Sequence, residues 1–87
     1  ATFPKESPAA RASAKGRQRD VLEKELASEQ DMLVKAKKEL ADQEAIRTGD
    51  ERNYARVLER LQKYKDNVEV HEKNVEALKR ELGNLGR

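Results

Sequence analysis

The residues able to do chemistry are few, and their spacing does not assemble a reactive group. His71 is the only histidine, cysteine is absent, and the serines and threonines beyond the first residues are Ser7, Ser13, Ser28 and Thr48. Nucleophilic catalysis needs a nucleophile, a base and an orienting group within hydrogen-bond reach. Carboxylate pairs abound, but they do acid–base work only where a cleft shifts their pKa values, and a helical rod offers no cleft. No enzyme, catalytic residue, metal or cofactor is therefore expected. His71, in Val70-His71-Glu72-Lys73, has two readings: a pH-responsive group, since imidazole titrates near physiological pH, or a polar seam residue that fixes helix register. The second is the simpler. A metal site lacks a second histidine to complete it.

Charge offers a different kind of site. Arg52, Arg56 and Arg60 recur every fourth residue, so a helix places them on one face. They suit an acidic partner or phosphate, or they pair across a hairpin with Glu44, Glu39 or Asp42, which is the favoured reading. Residues 1–20 carry Lys5, Arg11, Lys15, Arg17 and Arg19 against Glu6 and Asp20. Basic arms of this kind contact nucleic-acid phosphates, but here only Phe3 interrupts the charges as an aromatic. A solvated arm is the plainer reading, and nucleic acid is a disfavoured partner. Tyr54 and Tyr64 fall on an apolar seam and are expected to pack there.

The elements that must position these residues are helices. The 87 residues are 41% charged and 3% aromatic, with a net charge of +2. Ala, Glu, Lys, Leu and Arg dominate, a composition typical of long helices and coiled coils when the apolar residues are periodic. The sparse apolar content would suit a disordered chain, but the low net charge and ordered period favour helix. Without cysteine, a chain this small gains stability through helix packing or oligomerisation. No apolar run approaches the roughly 20 residues of a membrane span, and no secretory leader pattern follows Ala1.

Residues 1–8 are expected to form a flexible lead, and 9–87 a helical hairpin. Ser7-Pro8 has the chemistry of a helix start, Ser as N-cap and Pro in the first turn. The first helix is expected over about 10–47, with Gly16 weakening its first turns. Its stripe is Leu22, Leu26, Leu33, Ala36 and Leu40, interrupted by Glu29 and Gln43. The second helix is expected over about 50–83, ended by Gly83 and Gly86. Its stripe is Tyr54, Val57, Leu61, Tyr64, Val68, His71, Val75, Leu78, Leu82 and Leu85, in alternating steps of three and four. Acid-first pairs at i,i+4 (Asp20–Lys24, Asp31–Lys35, Glu59–Lys63, Glu69–Lys73 and Glu76–Arg80) each add roughly 0.2–0.5 kcal/mol.

Thr48-Gly49-Asp50 forms the expected turn, since Gly49 can end one helix and Asp50 can cap the next. The predicted fold is all-α: an antiparallel, coiled-coil-like two-helix hairpin, with dimerisation into a four-helix bundle open to it. A fold at Thr48–Gly49 makes facing residue numbers sum to about 97. It sets Leu40 near Val57, Leu33 near Tyr64, Leu26 near His71 and Leu22 near Val75. Leu82 and Leu85 then need partners near Ala12 and Ala14, so the first helix should extend upstream of Gly16. The rival is one continuous helix, because the heptad register runs unbroken from Leu26 through Arg47 to Leu82.

Gly49-Asp50-Glu51-Arg52-Asn53-Tyr54, Glu72-Lys73-Asn74-Val75-Glu76-Ala77-Leu78-Lys79-Arg80-Glu81-Leu82 and Leu22-Glu23-Lys24-Glu25-Leu26 together resemble the C-terminal helical region of small proteobacterial envelope proteins. The resemblance spans about residues 3–85. In those proteins the region follows a signal peptide and an N-terminal domain of unknown function with a cysteine pair, both missing here. The resemblance thus implies a C-terminal piece and a periplasmic or envelope setting, with a cytoplasmic one still open. It transfers no activity and no functional residues. The function expected is a non-enzymatic helical interaction or spacer module, acting on itself or on a protein partner. The alternative is a nucleic-acid-binding accessory protein using the basic arm and the Arg52/Arg56/Arg60 face.

Overall fold

The computed structural model describes residues 7–46 and 54–86. They form two helices, α1 (Pro8–Ala45) and α2 (Tyr54–Leu85), packed antiparallel as a hairpin. The rod measures 74 × 22 × 19 Å. The hairpin, not the continuous helix, is the fold. The expected turn residues Thr48, Gly49 and Asp50 lie outside the described residues, as does most of the lead.

Local chemistry sets where α1 begins. Ser7 is extended at its N-cap, its Oγ accepts the Ala10 N–H at 3.1 Å, and Pro8 opens the first turn. This satisfies one of the amides that every helix start leaves without a partner. The helix runs on through Gly16, whose Cβ position is open. It ends at Ile46, again extended, whose N–H reaches back to Gln43 O at 3.2 Å. At the other end α2 continues past Gly83, an expected stop, to Leu85, where the Gly86 N–H closes on Leu82 O. Leu82 and Leu85 still face the partner helix and are half-buried, and so is Ala14 opposite. That packing carries both helices beyond the sequence boundaries. A Cβ on Gly86 would sit 3.8 Å from the Arg19 guanidinium, which marks where α2 ends along α1.

The two helices meet along one seam. Among the described residues, Ala36 and Val75 are the buried ones, at 2% and 7% exposure. Leu22, Leu26, Leu33 and Leu40 from α1 are half-buried, as are Val57, Leu61, Tyr64, Val68, Leu78 and Leu82 from α2. Two helices shield each other on one side only, which is why the core is this thin.

The register differs from the one expected. His71 faces Glu29, so facing residue numbers sum to about 100 rather than 97. That is almost one helical turn further along. The physical reason lies in the interruptions of the two stripes. A sum of 97 would set Glu29 against Val68 and His71 against Leu26, leaving two polar groups on apolar surface. A sum of 100 lets the polar residues satisfy each other. It also brings Ala36, the smallest seam side chain, level with Tyr64, the largest. Among the described residues, no helix is long and apolar enough to cross a membrane.

Candidate interaction surface

Among the described residues, the helices make polar contact across the seam at Glu29. His71 Nδ1 lies 2.7 Å from Glu29 Oε2, and both side chains are part-buried. An ionised carboxylate only accepts, so Nδ1 carries the hydrogen. The Glu29 carboxyl is held below its ordinary value of 4.5, chiefly by the hydrogen bond from His71. Desolvation opposes this, while the Asn74 side chain and the charge of His71 add to it. The seam reading of His71 therefore acquires a named partner on the facing helix.

Tyr54 departs from the expected seam set. It is the first residue of α2 and 69% exposed. The register sets it level with Ile46, where α1 has already left its helix, so no facing helical turn remains to cover it. Ile46 and Leu58 are also exposed.

The arginine face is only partly described, since Arg52 lies outside the described residues. Arg56, Arg60 and Lys63 line a groove between the helices together with Glu39, Glu59, Tyr64 and Asn67. The expected ion pairs of Arg56 and Arg60 with Glu39, Asp42 or Glu44 do not close. Asp42 is taken by Lys38 of its own helix at 3.2 Å, and Glu39 lines the groove without closing on either arginine. Arg60 Nε is enclosed and has no acceptor. A buried donor left in that state costs about 1–3 kcal/mol.

A second groove, toward the open end of the hairpin, is lined by Glu25, Ser28, Glu29, Asn74, Ala77, Leu78 and Glu81. Sequence reasoning missed it, because its acids come from both helices and only the observed register brings them together. Of the expected i,i+4 pairs, Glu69–Lys73 is closed at 3.0 Å, which pushes the Lys73 amine up. Among the described residues no group of three or more His, Cys, Asp or Glu converges as metal ligands would.

No family model matches the chain, and no curated protein or solved structure matches it.

Proposed function

We propose that this chain is a non-enzymatic helical interaction and spacer module that associates through its faces with a protein partner or with itself. The observation that carries the reading is the half-covered seam. A 74 Å rod whose described residues bury only Ala36 and Val75 has most of its apolar stripe still partly open to a further helix. The mixed-charge grooves offer contacts but no enclosed pocket of the kind small-molecule chemistry uses. The envelope setting implied by the resemblance belongs to the same proposal, and fractionation of cells that make the protein tests it. A photo-crosslinking side chain at the exposed Val34 position, used in those cells together with sedimentation of the purified chain, tests the module itself. A discrete crosslinked protein or a self-associated species is expected. A chain that stays monomeric and crosslinks to nothing refutes the reading.

A second reading rests on a separate observation. From Ser7 to Arg19, α1 carries Arg11, Lys15, Arg17 and Arg19, all exposed, and no acid. A nucleic-acid accessory protein would use this arm. Four phosphate contacts predict a log–log salt slope of roughly −3.6 on duplex DNA. A flat salt dependence, or no binding at low salt, removes this reading.

A further inference from the structure

One face of the rod carries opposite charge at its two ends. Near the turn lies the groove of Arg56, Arg60 and Lys63, with Glu39 and Glu59. Toward the open end lies the groove of Glu25, Glu29 and Glu81. Both grooves open on the same side. Arg60, Asn67, Asn74 and Glu81 recur every seven residues along α2, and Glu25, Met32 and Glu39 do so along α1. Seven residues make two turns, so each row stacks on one side of its helix. The middle of this face is apolar. Met32, 45% exposed, stands halfway between Glu25 and Glu39, and Val70, 53% exposed, flanks the middle of the α2 row.

We propose that this face is a homodimer interface, occupied by a second copy of the chain related by a two-fold axis that passes by Met32 and Val70. The proposal rests on the interaction-module reading and specifies its partner. A two-fold axis across the rod reverses the second copy, so the basic groove of each chain lies over the acidic groove of the other. Arg60 then meets Glu81 of the second copy, and Glu81 meets the second copy's Arg60. Asn67 meets Asn74 across the same axis, and the two Met32 side chains meet each other. Arg60 lines the open groove, so the second copy's carboxylate meets its charge there. The axis also brings Glu39 toward the second copy's Glu25, and Arg56 and Arg60, lining the groove beside Glu39, compensate that approach. One axis serves both helices, because Glu29 bonds both His71 and Asn74, which sets Met32 level with residues 68–71 of α2. The contact is self-complementary, as a two-fold interface requires, and it yields four helices with antiparallel neighbours.

The experiment is sedimentation equilibrium of the full chain from about 10 to 500 µM at low and high salt, since linkage makes association depend on concentration. The wild type is expected to dimerise, more weakly at high salt. Met32→Lys sets two ammonium groups against each other on the axis and is expected to give a monomer of unchanged helicity. Arg60→Glu and Glu81→Arg are each expected to weaken the dimer about tenfold or more, and the double variant to recover most of that loss. Recovery is a readout that a merely misfolded variant does not give. A wild type that stays monomeric overturns the proposal, as does a dimer indifferent to Met32→Lys or one with no charge-swap recovery. A monomer that still crosslinks another protein at Val34 defeats the dimer and leaves the module reading standing. A monomer that crosslinks to nothing defeats both.

Discussion

Replacing Val75 with alanine should cost stability that the same replacement at Val34 does not. Val75 is 7% exposed on the seam, and Val34 is 67% exposed on the outer side of α1. The substitution removes two carbons, worth about 0.8 kcal/mol each when buried. A small cavity term adds to this, because neighbours on a thin seam relax only partly. Alanine's better helix propensity returns a few tenths of a kcal/mol. The net expected loss at Val75 is about 1.5 kcal/mol. In a domain this size 1 kcal/mol moves Tm by about 4–8 °C, so Tm should fall by about 6–12 °C. At Val34 no burial is lost, and stability should stay within about 0.5 kcal/mol of wild type. Thermal melts followed by circular dichroism at matched protein concentration measure both. Equal effects at the two sites would refute the assignment of Val75 to the seam, and with it the facing of α2.

Three further outcomes follow from the same packing. Ala36→Leu should destabilise by about 1–3 kcal/mol, since the bulk enters the buried position level with Tyr64; an unchanged melt would mean that Ala36 and Tyr64 do not face each other. Gly16→Ala should stabilise by up to about 1 kcal/mol and raise helicity, because the glycine is mid-helix with open space at its Cβ, and unchanged helicity would place the start of α1 beyond it. The carboxyl of Glu29 is depressed below 4.5 in the folded chain, so its contribution is fully present above that value and is lost as pH falls through the depressed one. Melts at neutral pH, pH 4.5 and pH 3 should therefore show wild type losing more stability below 4.5 than Glu29→Gln does, and parallel losses would remove the Glu29–His71 contact from the account.

Most of the hairpin is legible in the sequence because its determinants are local or periodic. Ser7 and Pro8 set the start of α1 through cap chemistry that needs no distant partner. The stripe from Val57 to Leu82 declares its facing by spacing alone. Register is different. Two apolar stripes with steps of three and four fit each other nearly as well after a slide of three residues, so the leucines cannot choose between registers. The choice falls to the exceptions, the polar Glu29 and His71 and the unequal Ala36 and Tyr64. Matching each polar interruption to the other gives the observed register from sequence, whereas placing the turn at Thr48–Gly49 misses it. Gly83 misleads for a related reason: its propensity argues for a stop, but the packing of Leu82 and Leu85 carries the helix on. Tyr54 has the right period, yet sits where the facing helix has ended. The two grooves are tertiary features. Arg60 and Glu39, or Glu25 and Glu81, converge only once register is fixed.

The most direct test of the hairpin is X-ray scattering from the chain as it elutes from a size-exclusion column, with mass measured on the same peak. The two-helix rod predicts a maximum dimension near its 74 Å length, and below about 100 Å if a second copy packs alongside with staggered ends. A dimension near 120 Å, the length of one unbroken helix over the same residues at about 1.5 Å each, would contradict it.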